Sequence, residues 1–242
     1  MQIIDIFNQT SIPNKELKRY ENEGFLVIKN ILTSEGASRI RKDVMHIMDI
    51  ISIGDSKLKQ TGQYLSDTDL AYFIQSDQMQ LIASTLMRGK AHLYLPFTAV
   101  KSANGGGNFD FHQDGQYTPT KGPSVNLWVA LNDMTIDNGC LYMDPHSHIN
   151  GVLPANILED GHKQIKYNTS NTVPVEVKAG DCIAFNRLTV HGSGKNNTDI
   201  HRVAYAIQFH RADTMIFKNE EWYLHSERPD LEVIQPNREI TK

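Results

Sequence analysis

The stretch Phe109-Asp110-Phe111-His112-Gln113-Asp114-Gly115 sets an imidazole and a carboxylate two residues apart. On an extended backbone residues i and i+2 point to one face, so His112 and Asp114 can close on one ion while Gln113 points away. A second imidazole, His191, comes far downstream in Val190-His191-Gly192-Ser193-Gly194, whose Gly/Ser content reads as a turn. Two histidines and one carboxylate are the ligand set of the facial triad, which leaves open positions on a non-haem ferrous ion. Arg202 follows on a strand-like run, and its guanidinium fork can pair bidentately with a carboxylate. Ser193 can add a hydroxyl to the same anion. Each piece alone is ordinary: Asp114 before Gly115 is also turn chemistry. Their combination, in this order, points to metal chemistry.

Elements must position these residues. Pro13 to Asn22 predicts a short helix with Gly24 just past its end, and Gly24 to Lys29 a short apolar strand. Thr33 or Ser34 caps an amphipathic helix that carries Ala37, Ile40, Val44, Ile47, Met48 and Ile51 at helical spacing. Gln78 to Arg88 reads as another helix, with Asp77 as cap and Gly89 as stop. From Ala91 the texture changes to strands: 92–101, 124–131, 182–186 and 202–210, divided by turns such as Asp137-Asn138-Gly139 and Ala179-Gly180-Asp181. The fold class is mainly β with N-terminal helices, as a jelly-roll or barrel core. One domain over 1–242 is expected: helices within 1–90, a core over 91–215 and a polar tail over 216–242. The polar segment 54–69 is a candidate lid.

Bulk properties exclude several classes. The chain has 242 residues, enough for a sizeable core, and a formal net charge of -4, which argues against a nucleic-acid partner. No apolar run approaches membrane-spanning length, so no membrane partner is expected. Cys140 and Cys182 sit in apolar strand-like settings without a CxxC pair and read as buried free thiols, which suits a cytoplasmic location.

The chain resembles the phytanoyl-CoA dioxygenase-like family of iron(II)- and 2-oxoglutarate-dependent oxygenases. The resemblance rests on Phe111-His112-Gln113-Asp114, Leu127 to Leu131, Asp137 to Leu141 leading to Pro145-His146-Ser147-His148, Ala179-Gly180-Asp181, His191 to Gly194, and Arg202. It implies a double-stranded β-helix, a cupin-like jelly roll. It implies iron(II) held by His112, Asp114 and His191, and 2-oxoglutarate held by Arg202 with Ser193. Trp128 resembles the strand aromatic that lines that pocket, and Lys101 stands where the family often has a basic residue. Dioxygen is the second co-substrate; succinate and carbon dioxide leave, and a small polar metabolite is hydroxylated. Because Asp114 keeps its carboxylate, halogenation is not expected. The family usually has glycine where this chain has His146, which either varies a turn or places an extra imidazole near the site.

In a jelly roll, Gln116 and Tyr117, just past Asp114, and Asn186 and Arg187, before His191, should face the cavity mouth and contact substrate; Arg187 would suit an anionic group. Two other readings compete. A cupin-type metal enzyme without 2-oxoglutarate usually has more histidines and no downstream Ser/Arg pair. A non-catalytic binding module of the same fold would be expected to have lost a ligand or the arginine; this chain keeps all four.

Overall fold

The computed structural model describes residues 5–51, 58–159 and 161–225. In chain order it runs through helix α1 (Asn14–Glu23), strand β1 (Phe25–Ile28), α2 (Ser34–Ile51), β2 (Leu58–Lys59), α3 (Asp69–Ile74) and α4 (Asp77–Leu86). Then come β3 (Ala91–Lys101), β4 (Phe109–His112), β5 (Thr120–Lys121), β6 (Ser124–Ala130), β7 (Leu141–Met143), β8 (Ala155–Ile157), β9 (Lys163–Ile165) and β10 (Val173–Val175). The chain continues with β11 (Cys182–Asn186), β12 (His191–Ser193), β13 (Arg202–Arg211), β14 (Met215–Lys218) and β15 (Glu221–Leu224).

Local chemistry accounts for the boundaries. Gly24 ends α1 at φ 84°, with its N–H on the Tyr20 carbonyl. A Cβ there would run into the His148 ring, so both the dihedral and the space call for glycine. Thr33 Oγ1 accepts from the Gly36 N–H and starts α2. For α4 the cap is Ser76, whose side chain accepts from Met79, and Asp77 is the first helical residue instead. The left-handed residue after α4 is Arg88, not Gly89.

Six strands form one sheet in the order β1-β11-β6-β13-β3-β2, and four form a second in the order β10-β7-β12-β4. The N-terminal region is therefore not purely helical: β1 pairs antiparallel with β11 and closes one edge of the large sheet. Strands β6, β13 and β3 are its centre, and period-2 alternation along them separates two cores. On one face Val203, Tyr205, Ile207 and Phe209 pack with Val125, Leu127 and Val129 against α2, α3 and α4, through Ile40, Val44, Phe73 and Ile82. On the other, Trp128, Ala130, Ala204 and Ala206 share a core with Cys140, just before β7, and with Leu141, Met143 and Val175 of the second sheet. Burying one such large apolar side chain contributes about 1.5–3 kcal/mol.

The expected polar tail is partly a hairpin. Strands β14 and β15 pair with each other, and β14 pairs with β5. The Lys121 ammonium lies 4.0 Å from the Trp222 ring centroid across that small sheet. Residues 226–242 lie outside the described residues, as do residues 54–57 of the candidate lid.

Candidate active site

The alternation that divides the cores also builds the site. Along β13 the face turned to the second sheet carries Arg202, Ala204, Ala206, Gln208 and His210. Opposite them on β6 stand Ala130 against Ala204, Trp128 against Ala206, Asn126 against Gln208 and Ser124 against His210. The small alanines leave room beneath the Trp128 ring, and a cavity of about 380 Å³ opens there. Phe97, Phe109, Phe185 and Leu141 supply apolar wall; His112, Asp114, His191, Ser193, Arg187 and Arg202 supply polar groups.

His112 ends β4 and Asp114 starts a short 3-10 turn, with Gln113 between them extended at φ -120°, ψ 134°. His191 is not in a turn: it lies in β12, paired to His112 on one side and Met143 on the other. The ring nitrogens and carboxylate oxygen of His112, Asp114 and His191 lie within 4.8 Å of one another, close enough to hold one metal ion. Nδ1 of His112 is 2.8 Å from the Asp110 carbonyl oxygen, and Nδ1 of His191 is 2.9 Å from that of Thr189. A carbonyl only accepts, so each Nδ1 carries the proton and each Nε2 offers its lone pair. Nε2 of each ring lies 3.7 Å from Asp114 Oδ1.

Electrostatics favour that state. Burial, reinforced by the neighbouring His191, pushes the His112 pKa down to about 3, which keeps the imidazole neutral. Burial works against charge on Asp114. Both histidines, Arg187 and the hydrogen bond from Asn126 outweigh it, and its pKa lies below the ordinary carboxylate value.

The cavity holds two buried arginines. Arg202 donates at 3.3 Å to the Gly139 carbonyl and at 3.3 Å to that of Ala99, lies 5.2 Å from the Trp128 centroid, and has a buried, unpartnered Nε. No carboxylate among the described residues pairs with it, and burial lowers its pKa to about 9. Gly139 sits at φ 83°, where a Cβ would stand 2.6 Å from the Gly194 carbonyl, so the turn that feeds Arg202 an acceptor requires glycine. Arg187, whose Nε is likewise buried without a partner among the described residues, donates to the Asp114 carbonyl at 3.0 Å, contacts His210 Nε2 at 3.4 Å and is covered by the Tyr94 ring.

Of the residues singled out from the sequence, His112, Asp114, His191, Ser193, Trp128, Arg202, Tyr117 and Arg187 line the cavity. Four do not. The Lys101 side chain starts on the cavity side, but its amine donates to the Gly107 and Gly194 carbonyls; burial and Arg202 lower its pKa to about 7. Gln116 donates to the Leu153 carbonyl and accepts from the Gln113 N–H, which ties the turn after Asp114. Asn186 Oδ1 accepts from the Leu188 N–H. His146 is exposed, at φ 66°, with Nδ1 2.8 Å from the Asn22 carbonyl oxygen, so it is a turn residue rather than an extra imidazole at the site.

Sequence reasoning misses Asn126 and Gln208, although both donate to Asp114 Oδ2. The signal is present as polar residues on one face of otherwise apolar strands, at alternate positions in Ser124-Val125-Asn126-Leu127-Trp128 and Ala206-Ile207-Gln208-Phe209-His210. Gln60, Thr61 and Gly62, within the candidate lid, also line the cavity.

Relatives in sequence share the site's family. The chain is 26% identical to the phytanoyl-CoA dioxygenase domain-containing protein 1 homolog of Dictyostelium discoideum, over 90% of this chain and 98% of that protein. It is 29% identical to the phytanoyl-CoA dioxygenase of Arabidopsis thaliana, over 73% and 68%. In three dimensions it is similar to EvdO2 from Micromonospora carbonacea var. aurantiaca, with TM-score 0.74 at 16% identity over 90% and 97% of the two chains. It is also similar to SnoK, a non-heme alpha-ketoglutarate dependent carbocyclase, with TM-score 0.70 at 19% identity over 84% and 86%. At such identities the structural likeness speaks for the fold alone. The family model of phytanoyl-CoA dioxygenase (PhyH) matches residues 20–204, and this chain belongs to that family of iron(II)- and 2-oxoglutarate-dependent dioxygenases.

Proposed function

We propose that His112, Asp114 and His191 hold the ferrous ion. Arg202 and Ser193 take the far carboxylate of 2-oxoglutarate beside Trp128, and the enzyme hydroxylates a small molecule. The observation that carries this reading is Arg202. A buried guanidinium bonded only to carbonyls, with no carboxylate partner among the described residues, faces the same cavity as three converging ligand atoms. Burying an unpaired charge is expensive, so a cavity built this way fits a bound anion. The donor set also fits iron: two neutral imidazoles and one carboxylate suit a non-haem ferrous ion with open positions. The ion with 2-oxoglutarate and dioxygen supplies the oxidising power, and succinate and carbon dioxide are the co-products.

The chain's own residues do the rest. The carbonyls of Asp110 and Thr189 orient the two imidazoles, and Asp114 contributes the negative charge. Phe97, Phe109, Tyr94 and Tyr117 wall the substrate end and exclude water, with Thr118, Thr61 and His162 as polar points. Arg187 is already engaged by the Asp114 carbonyl and sheathed by Tyr94, so it does not favour an anionic substrate. The expectation of a small polar metabolite therefore narrows to an uncharged molecule with an apolar or aromatic face and hydroxyl groups. A single domain with a double-stranded β-helix core fits the two facing sheets, and two buried free cysteines suit a reducing cytoplasm.

The test is succinate release with iron(II), 2-oxoglutarate and air, run against uncharged hydroxylated ring compounds and against carboxylates of similar size. Stimulation by the first set is expected. Stimulation by carboxylates alone would overturn the substrate class, and no iron-dependent turnover of 2-oxoglutarate under any condition would overturn the enzyme reading.

A further inference from the structure

The two oxygens of Asp114 have different fates. Oδ1 faces Nε2 of both histidines at 3.7 Å each. Oδ2 accepts from Asn126 Nδ2 at 2.9 Å and from Gln208 Nε2 at 3.1 Å. Asn126 and Gln208 are direct cross-strand partners on β6 and β13, so their amides stand side by side on the cavity face and converge on one atom.

This convergence has a visible cost. Asn126 Oδ1 and Gln208 Oε1 are both buried and find no hydrogen-bond partner among the described residues. Buried amide oxygens ordinarily find a donor, and leaving one bare is unfavourable. Turning either amide over would aim its oxygen at an ionised carboxylate, which can only accept. Asp114 therefore sets the orientation of both amides. The backbone beneath is held too: the Asp114 carbonyl accepts from Arg187 at 3.0 Å and from the Tyr117 N–H at 3.2 Å. The soft coordinate left is rotation of the carboxylate about its last torsion, which is broad for aspartate. The two amides oppose that rotation.

We propose that Asn126 and Gln208 form a clamp that keeps Asp114 on the metal through Oδ1 alone and so fixes how many positions stay open. The inference rests on the metal-site reading above. Three ligand atoms leave three open positions on an octahedral ion. A bidentate keto acid needs two of them and dioxygen one. A carboxylate that rotated to use both oxygens would close one. Asn126 and Gln208 are thus positioning residues: they reach the ion only through Asp114.

The test uses manganese(II), a redox-inert stand-in, with water-proton relaxation as the readout of waters on the bound ion. Occupancy is measured separately by titration, so relaxivity is expressed per bound ion. Native protein should show about three coordinated waters, and the N126L/Q208L double variant should lose about one third of its relaxivity as the second oxygen closes on the ion. A merely structural role would lower occupancy and leave relaxivity per bound ion at the native value; that result overturns the clamp. Should the double variant fail to fold, Gln208→Met and Asn126→Ser singly carry the same readout. A loss in either supports the clamp, and native values in both overturn it. Native protein that binds no manganese(II) would sink the metal site itself, whereas native protein already at the lower relaxivity would sink the clamp alone.

Discussion

Two arginines of similar burial line one cavity, and their surroundings differ in kind. Arg187 gives a short hydrogen bond to the Asp114 carbonyl, touches His210 and feels the Asp114 carboxylate. Arg202 has two long bonds to carbonyls, an aromatic ring and no carboxylate among the described residues. Asp114 offsets part of the buried Arg187 charge within the protein; an arginine with no such neighbour fits a bound anion. On the proposed reading, that difference separates the region of the cavity that supports the metal ligands from the region that would take the co-substrate.

The largest effect is expected from His112→Ala, which removes a metal ligand: succinate release should fall to background while far-ultraviolet circular dichroism stays native. Full activity in that variant would remove His112 from the iron site. Next comes Arg202→Met. Losing one partner of a buried charge pair costs about 2–5 kcal/mol, so the KM for 2-oxoglutarate should rise on the order of 100-fold, with metal affinity little changed. Arg187→Met should show the opposite pattern: the thermal midpoint drops, with about 1–3 kcal/mol lost from a charged hydrogen bond, and the 2-oxoglutarate KM moves far less. Equal KM effects from both arginines would erase the distinction between them.

Acid should act on the support side. The folded-state pKa values of His112 and His210 are pushed down by burial, to about 3 and about 2. The unfolded chain therefore takes up these protons near the ordinary histidine value while the folded one does not. Their contribution to stability is present above roughly pH 6.5 and is lost as pH falls from there toward the folded values, by about 1.4 kcal/mol per pH unit per histidine. Melts of the metal-free protein between about pH 7 and pH 4.5 check this, and His210→Phe should flatten some of the slope. The smallest effect is expected from His146→Gly. It relieves a left-handed backbone worth about 1 kcal/mol but removes the bond to Asn22, so stability should stay within about 1 kcal/mol of native. Activity should be unchanged, and a clear loss would return that imidazole to the site.

How much of this is legible in the sequence follows from strand length. The long strands β3, β6 and β13 declare themselves by alternation, and His112, Asp114 and Arg202 carry distinctive chemistry at fixed spacing. The second sheet does not, because β7, β10 and β12 have three residues each, too few for a period to show. His191 looks like a turn residue for that reason. Gln116, Asn186 and Lys101 are misplaced because sequence proximity to a ligand says nothing of which carbonyl a flexible polar chain will find. Asn126 and Gln208 are neighbours only through cross-strand register, which the sequence does not contain.

The most direct test of the central claim is an anaerobic ultraviolet–visible titration of the metal-free protein with ferrous iron and then 2-oxoglutarate. A weak visible charge-transfer band that grows with 2-oxoglutarate, and needs far more of it in Arg202→Met, is the predicted result. Bound iron with no such band at saturating 2-oxoglutarate would contradict the assignment of this cavity to the keto acid.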